Sequence, residues 1–322
     1  MDGAVDGSGN GGGTAAARRS APDTAALKAL SRPSNTKGLL HLAGHLGLLT
    51  LTGGLVLTLG ETWGVVPALL LHGTVLVFLF APLHETIHRT AFRSRWMNDA
   101  VALFCGFLLL LPAGYFRLFH LQHHRFTQDP ARDPELSGPP LTDRHAYLLR
   151  ISGLPYWRER ITTLGRHALG RVTEDFIPAR QRPPVVREAR GHLLGYGLAA
   201  TASLAAGSDL LLWLWIFPAL LGQPALRLFL LAEHSGCPQV PDMLVNSRTT
   251  LTAPPLALLC WHMNRHTAHH AYPAVPFHAL PAADRLLAPG ISHRSPGYAA
   301  MHRQLWRRLA ETGDLPVGGS AR

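Results

Sequence analysis

Apolar residues in this chain come in long blocks, with polar residues gathered between them. Residues 38–60 run GLLHLAGHLGLLTLTGGLVLTLG, 23 residues without an ionised side chain, and a helix needs about 20 to cross the hydrocarbon core of a bilayer. Residues 65–83, VVPALLLHGTVLVFLFAPL, form the next block. Glu61-Thr62-Trp63-Gly64 between them reads as a short turn with an interfacial tryptophan, so the two blocks predict a helical hairpin. Two more blocks, 192–207 and 209–231, meet at Gly207-Ser208 and are kinked by Pro218 and Pro224, which predicts a second hairpin. A shorter apolar run, 100–116, follows the helix-start pair Asn98-Asp99, and Pro112 and Gly114 permit a break in it.

The polar segments complete the plan. Residues 1–36 are rich in Gly, Ala, Ser, Asp and Arg without apolar periodicity and predict a disordered tail; they contain no apolar core of a signal peptide, which leaves targeting to the first span. Residues 37–290 form one membrane domain, and 291–322 a basic C-terminal tail. Within the domain, residues 125–190 are polar, arginine-rich and punctuated by proline, with short amphipathic stretches that predict a cytosolic helical cap. The expected fold is all-α: an integral membrane bundle of about four transmembrane helices in two hairpins, a re-entrant or interfacial helix, and the cap.

Composition agrees with that class, at 47% hydrophobic and 16% charged residues. The balance of 30 Lys+Arg against 20 Asp+Glu leaves +10. No basic helix interleaved with aromatics is present, which argues against nucleic acid as the partner. The arginines flank the apolar runs instead, as positive-inside anchors do, and Arg89, Arg93 and Arg95 put the end of the second span in the cytosol. The expected setting is a bacterial inner membrane. Cys105, Cys237 and Cys260 show no CxxC spacing, which excludes a disulfide framework and argues against an iron-sulfur cluster.

The histidines carry the chemistry. His120, His123 and His124 stand at i, i+3 and i+4, neighbouring positions on a helix. The spacing returns at His266, His269 and His270, and His84 and His88 form an i, i+4 pair. His234 at the end of a span makes nine. One metal cannot use nine imidazoles; two can, each with an open position for a small molecule, and imidazole suits iron as well as zinc. A shared site demands that 84–88 and 120–124 lie on one side of the membrane, so the run 100–116 must lie at the interface or dip in and return. His41, His45 and His72 sit inside spans and read as packed residues; His72 is about 18 Å along a helix from His84.

These motifs spell HETIH at 84–88, HLQHH at 120–124 and HTAHH at 266–270, with flanks RTAFRSRWMND, RFTQDPARDPE and AYPAVPFHALP. In them, over residues 38–290, the chain resembles the membrane fatty acid desaturase and hydroxylase superfamily. The resemblance implies two iron ions on the cytosolic side of four helices, dioxygen as co-substrate, and a double bond introduced into a long fatty acyl chain that enters from the membrane. His234, in LAEHSG, matches the family's lone histidine between the second and third boxes. The Glu233-His234 pair is common among hydroxylase-like members, and Leu230 stands where acyl-CoA desaturases place an Asn, so hydroxylation of a fatty acyl, alkyl or carotenoid substrate is the alternative. His262 replaces an Asn usual in relatives and reads as a neighbour of the site rather than a ligand.

An all-nitrogen ligand set leaves metal charge uncompensated, so carboxylates must sit nearby and fix the imidazole tautomers. Glu85, Asp129, Asp133, Glu135 and Glu233 are the candidates, with Asn264 in the same part beside the third box. No flavin, nicotinamide or haem signature is present, so electrons must come from an external ferredoxin or cytochrome. Arg158, Arg160, Arg166, Arg171, Arg180 and Arg182 of the cap offer it a docking surface. Two other readings stand further off. The first box also spells HExxH, the zinc-protease motif, but that reading leaves six boxed histidines unexplained; a non-enzymatic metal carrier is the other. Oligomeric state is left open.

Overall fold

The computed structural model describes residues 23–311. Most of them are helical. The chain begins with α1 (Thr24–Leu30), whose N-terminus is capped by the Asp23 carboxylate accepting from the Ala26 N–H at 2.9 Å. Residues 23–36, placed in the expected disordered tail of 1–36, are ordered, and residues 1–22 lie outside the described residues. A helix of seven residues is too short to show periodicity, yet it buries Leu27 completely in the main core.

The long elements follow the apolar blocks. Ser34 caps α2 (Asn35–Leu59), and α3 (Val65–Val77) runs on into α4 (Phe80–His88), so that 65–88 is one apolar helix long enough to cross a bilayer. Next come α5 (Arg95–Leu108) and α6 (Ala113–Phe126), bent by 100°. The bend is built from Leu110 at φ +54° and Pro112 at the head of α6. Its exposed polar groups find partners on neighbouring elements. The Glu188 carboxylate accepts from the Gly114 and Tyr115 N–H groups at 3.0 and 3.3 Å, and the Phe107 and Leu108 carbonyls accept from the Tyr196 hydroxyl and the Trp215 indole at 2.8 and 2.7 Å. The run 100–116 is thus broken, and its two halves lie at 100° to each other.

Beyond a 3-10 turn lie the cap helices α7 (Arg144–Ile151) and α8 (Leu154–Ala168), then α9 (Arg182–Ala205). The first turns of α9 carry Arg182, Arg187, Glu188 and Arg190, so only its second half is apolar. A π-helical turn at Leu212–Ile216 leads into α10 (Phe217–His234), and 212–234 is again long and apolar enough to span. Exposed Leu40, Leu51, Leu194, Leu198, Leu220 and Leu221 on these helices face outward, as residues in lipid do. The closest helix contact is between α3 and α10. A Cβ on Gly73 would lie 2.3 Å from the Pro218 carbonyl oxygen, and one on Gly222 would lie 2.1 Å from that of Gly73. Only glycine admits backbones this near.

The rest of the chain is short pieces: α11 (Met243–Asn246), β1 (Arg248–Thr250), α12 (Pro254–Leu259), α13 (His266–Ala271), α14 (Leu280–Leu287), β2 (His293–Ser295) and α15 (Tyr298–Glu311). The two three-residue strands pair in parallel, a small departure from an all-helical chain. Residues 291–311 are not a loose tail: Met301, Leu305 and Leu309 of α15 pack on Leu141, Tyr147 and Leu231. The arrangement is a membrane helical bundle whose histidine-bearing ends meet under a cap of short helices.

Candidate metal centre

Four elements deliver the nine histidines. His84 and His88 end α4, His120, His123 and His124 end α6, His234 ends α10, and His266, His269 and His270 make up half of α13. Their nitrogens gather in two groups, within each of which the donor atoms lie no more than 4.8 Å apart: His84, His88, His120, His124 and His269 in the first; His123, His234, His266 and His270 in the second. The HxxHH spacing explains the division. Adjacent residues on a helix point about 100° apart, so His123 and His124 diverge into different groups, as do His269 and His270. The two groups adjoin, the His124 and His270 rings stacking with centroids 4.1 Å apart and planes at 12°.

The donor set fits metal ions. Within the groups Nε2 atoms approach one another, His120 and His124 at 2.9 Å, His124 and His269 at 3.0 Å, His234 and His266 at 2.9 Å. His88, His123 and His270 each bury an Nε2 with no hydrogen-bond partner, which native proteins avoid unless something else satisfies the atom. Burial, reinforced by neighbouring imidazoles, holds His266, His269 and His270 well below the usual histidine range. They are therefore neutral, with a lone pair to give, as metal ligation requires.

The outer nitrogens are oriented unevenly. His123 Nδ1 donates to the Asp133 carboxylate at 2.9 and 3.1 Å, and Asp133 also accepts from the Gln128 and Glu135 N–H groups. Burial works against the charge of Asp133, but His123 and those two N–H groups hold it below the usual carboxylate range. Glu135 lies 3.6 Å from His123 Nδ1 and 3.9 Å from His120 Nδ1, and burial pushes it up to about 7. Glu233 reaches within 3.2 Å of His266 Nδ1. His234 Nδ1 donates to the Asn246 carbonyl at 3.0 Å, and His270 Nδ1 lies 3.1 Å from the Thr127 hydroxyl oxygen.

Asp133, Glu135 and Glu233 thus stand beside imidazoles, where sequence reasoning looked for carboxylates. Four other candidates stand elsewhere. Buried Glu85 accepts from the Phe277 N–H at 2.9 Å and ties α4 to the segment after the third box. Asp129, a turn residue, accepts from the Ala131 N–H and the Arg132 side chain. Asn264 donates to the Thr250 carbonyl, and His262 packs near His41 at φ +59° in the turn before α13. Their spacing to the boxes is close, but their side chains leave the backbone in other directions. Two contributors escaped notice. Thr127 stands four residues after His123, a spacing that could have flagged it. Asn246 acts through its backbone carbonyl, which no residue pattern announces. The span histidines are packed as expected: His45 Nε2 donates to the Val75 carbonyl, His41 Nε2 to that of Leu258, and His72 Nε2 to that of Leu214.

No curated protein matches the chain. The model of the family described as fatty acid desaturase matches residues 61–302, which takes in all three boxes, His234 and the cap. The chain belongs to the fatty acid desaturase family, a family of desaturase- and hydroxylase-type oxidoreductases that work with bound metal, and it is a membrane protein.

Proposed function

We propose that the protein is an oxygen-dependent desaturase of long fatty acyl chains that holds one iron in each histidine group, on the cytosolic side of the membrane. The observation that carries this is the pair of adjoining, buried, all-imidazole groups at the ends of membrane helices. Bound iron would supply one-electron redox chemistry and the activation of dioxygen. Overall, the acyl chain gives up two hydrogens as a double bond forms, an external carrier gives two electrons and the solvent two protons, and dioxygen takes the resulting four electrons and four protons to become two waters.

The chain's own residues have three tasks. The nine imidazoles fix two metal positions on helices packed against one another. Asp133 and Glu233 lie beside outer N–H positions and offset positive charge. Burial of the groups excludes bulk water, and the outward-facing leucines of the spans keep the site at a lipid surface, where an acyl substrate is found.

Hydroxylation is the second reading, favoured by Glu233 beside His234 and within 3.2 Å of His266 Nδ1. It uses the same electrons and dioxygen, with one oxygen retained in the product. The HExxH protease reading loses its general base, since Glu85 is wholly buried and accepts from a backbone N–H. The test is to express the chain and its His269→Ala variant in a host with simple lipids, measure iron and zinc in the purified protein, and analyse the lipids by mass spectrometry. Two irons and a new double bond are expected, and the variant should lose the double bond and the iron of the first group. A new hydroxyl selects the second reading; stoichiometric zinc with unchanged lipids overturns both.

A further inference from the structure

Two of the six cap arginines are taken up within the cap itself. Arg160 is buried and donates to Glu159 at 2.7 Å, and Arg166 is committed to Glu174. A different surface lies against the site itself. Where α6 ends, Arg125, Thr127, Gln128 and Arg132 line one side of a cavity of about 380 Å³, and Gln239 and Val240 line the other. Its floor is Thr127 and Gln128, both buried. The Thr127 hydroxyl oxygen is 3.1 Å from His270 Nδ1, and Gln128 Nε2 donates to the His234 carbonyl at 3.3 Å. The wall between this cavity and the second histidine group is therefore one side chain thick. Its rim carries the exposed Arg125 and Arg132 guanidinium groups, 5.1 and 4.2 Å from the Phe126 ring centre; Asp129 pairs with Arg132, and Arg125 leaves the rim net positive.

We propose that this cavity is the docking surface for an acidic one-electron carrier protein, with the Thr127–His270 contact as the path by which electrons enter. The proposal rests on the oxidoreductase reading above. A metal held by the second group would take the one electron that each docked carrier gives up, and the two electrons of a turnover would need two dockings. Electron tunnelling weakens steeply with distance, which favours the thinnest wall, and the arginine rim steers an acidic partner onto it.

The test uses the metal-loaded full chain in phosphatidylcholine nanodiscs, with a plant-type [2Fe–2S] ferredoxin and a cytochrome b5 as acidic probes. Affinity is measured across a salt series for wild type, Arg132→Glu, Val240→Lys and, as a control in the cap, Arg158→Glu. At least one probe should bind wild type. Arg132→Glu should then weaken it about ten-fold, Val240→Lys should tighten it, and Arg158→Glu should leave it within about two-fold. The gain from Val240→Lys is a result that misfolding cannot produce. Failure of both probes to bind wild type overturns the proposal, as does a loss in Arg158→Glu equal to that in Arg132→Glu. Binding is read without any lipid product, so rim-dependent binding by a protein that changes no lipid would sink the desaturase reading and leave the docking surface standing.

Discussion

The two histidine groups are built from the same motifs and supported in different ways. In the second, outer nitrogens meet the Asp133 carboxylate, the Asn246 carbonyl, the Thr127 hydroxyl and the nearby Glu233. In the first, the Nδ1 atoms of His120, His124 and His269 are buried without a hydrogen-bond partner, and His88 and His124 are only half-buried. The contrast teaches a division of labour. A group with more of its rings oriented by fixed acceptors would hold a metal more rigidly; a group with fewer relies more on helix packing and would have more freedom to rearrange around small molecules.

The sharpest way to break that contrast is to remove one ligand from each group. His84→Ala and His270→Ala should each lower turnover by more than ~100-fold, and metal analysis should show each variant retaining the ion of the intact group. Loss of both ions in either variant would mean that the two groups are one cooperative site. Next in size is Asp133→Asn, which leaves the shape and removes the charge. It should lower metal affinity by about 10- to 100-fold in the second group alone, read by chelator competition. An equal loss from the first group would erase the distinction.

Gly73→Ala probes what both groups share. The new methyl meets the Pro218 carbonyl oxygen, so α3 and α10 must part, at a cost of about 1–3 kcal/mol. Thermal unfolding should fall and both ions should loosen together, because α4 and α10 feed different groups. Loosening of one ion alone would show that the helices position their histidines independently. The smallest effect belongs to the cap, remote from either group. Burial opposes the charge of Glu174, but His167 and Arg166 hold its carboxyl down at about 2, below the ordinary 4.5. A depressed carboxyl stabilises the fold above its ordinary value and loses that contribution as pH falls through its folded one. Glu174→Gln should therefore lower Tm at pH 7, and the gap from wild type should close between pH 4.5 and pH 2. A gap unchanged down to pH 2 would mean that the carboxylate charge contributes nothing.

Much of this architecture was legible in residue spacing. The apolar blocks at 38–60 and 65–83 became α2 and the α3–α4 span, and the demand that His88 and His120 share a side anticipated the break between α5 and α6. What escaped was short or indirect. A seven-residue helix such as α1 has too few positions to show a period, and α15 was hidden in a basic segment because its apolar stripe is Met301, Leu305 and Leu309 among arginines. Arg160 has the sequence setting of a surface charge and is buried in the cap between aromatic rings.

By itself the sequence pointed to the nine histidines that gather in the structure and to the helices that carry them, because helical spacing and apolar length are local properties that a linear pattern records. Only the tertiary structure decided that the nine divide five and four, that Asp133 and not Asp129 supports a ring, and that Thr127 and the Asn246 carbonyl support two others. Those outcomes depend on how helices far apart in sequence cross, and on the direction in which each side chain leaves its backbone there. Gly73 and Gly222, outside the boxes, let α3 and α10 touch and so help to set how those helices cross.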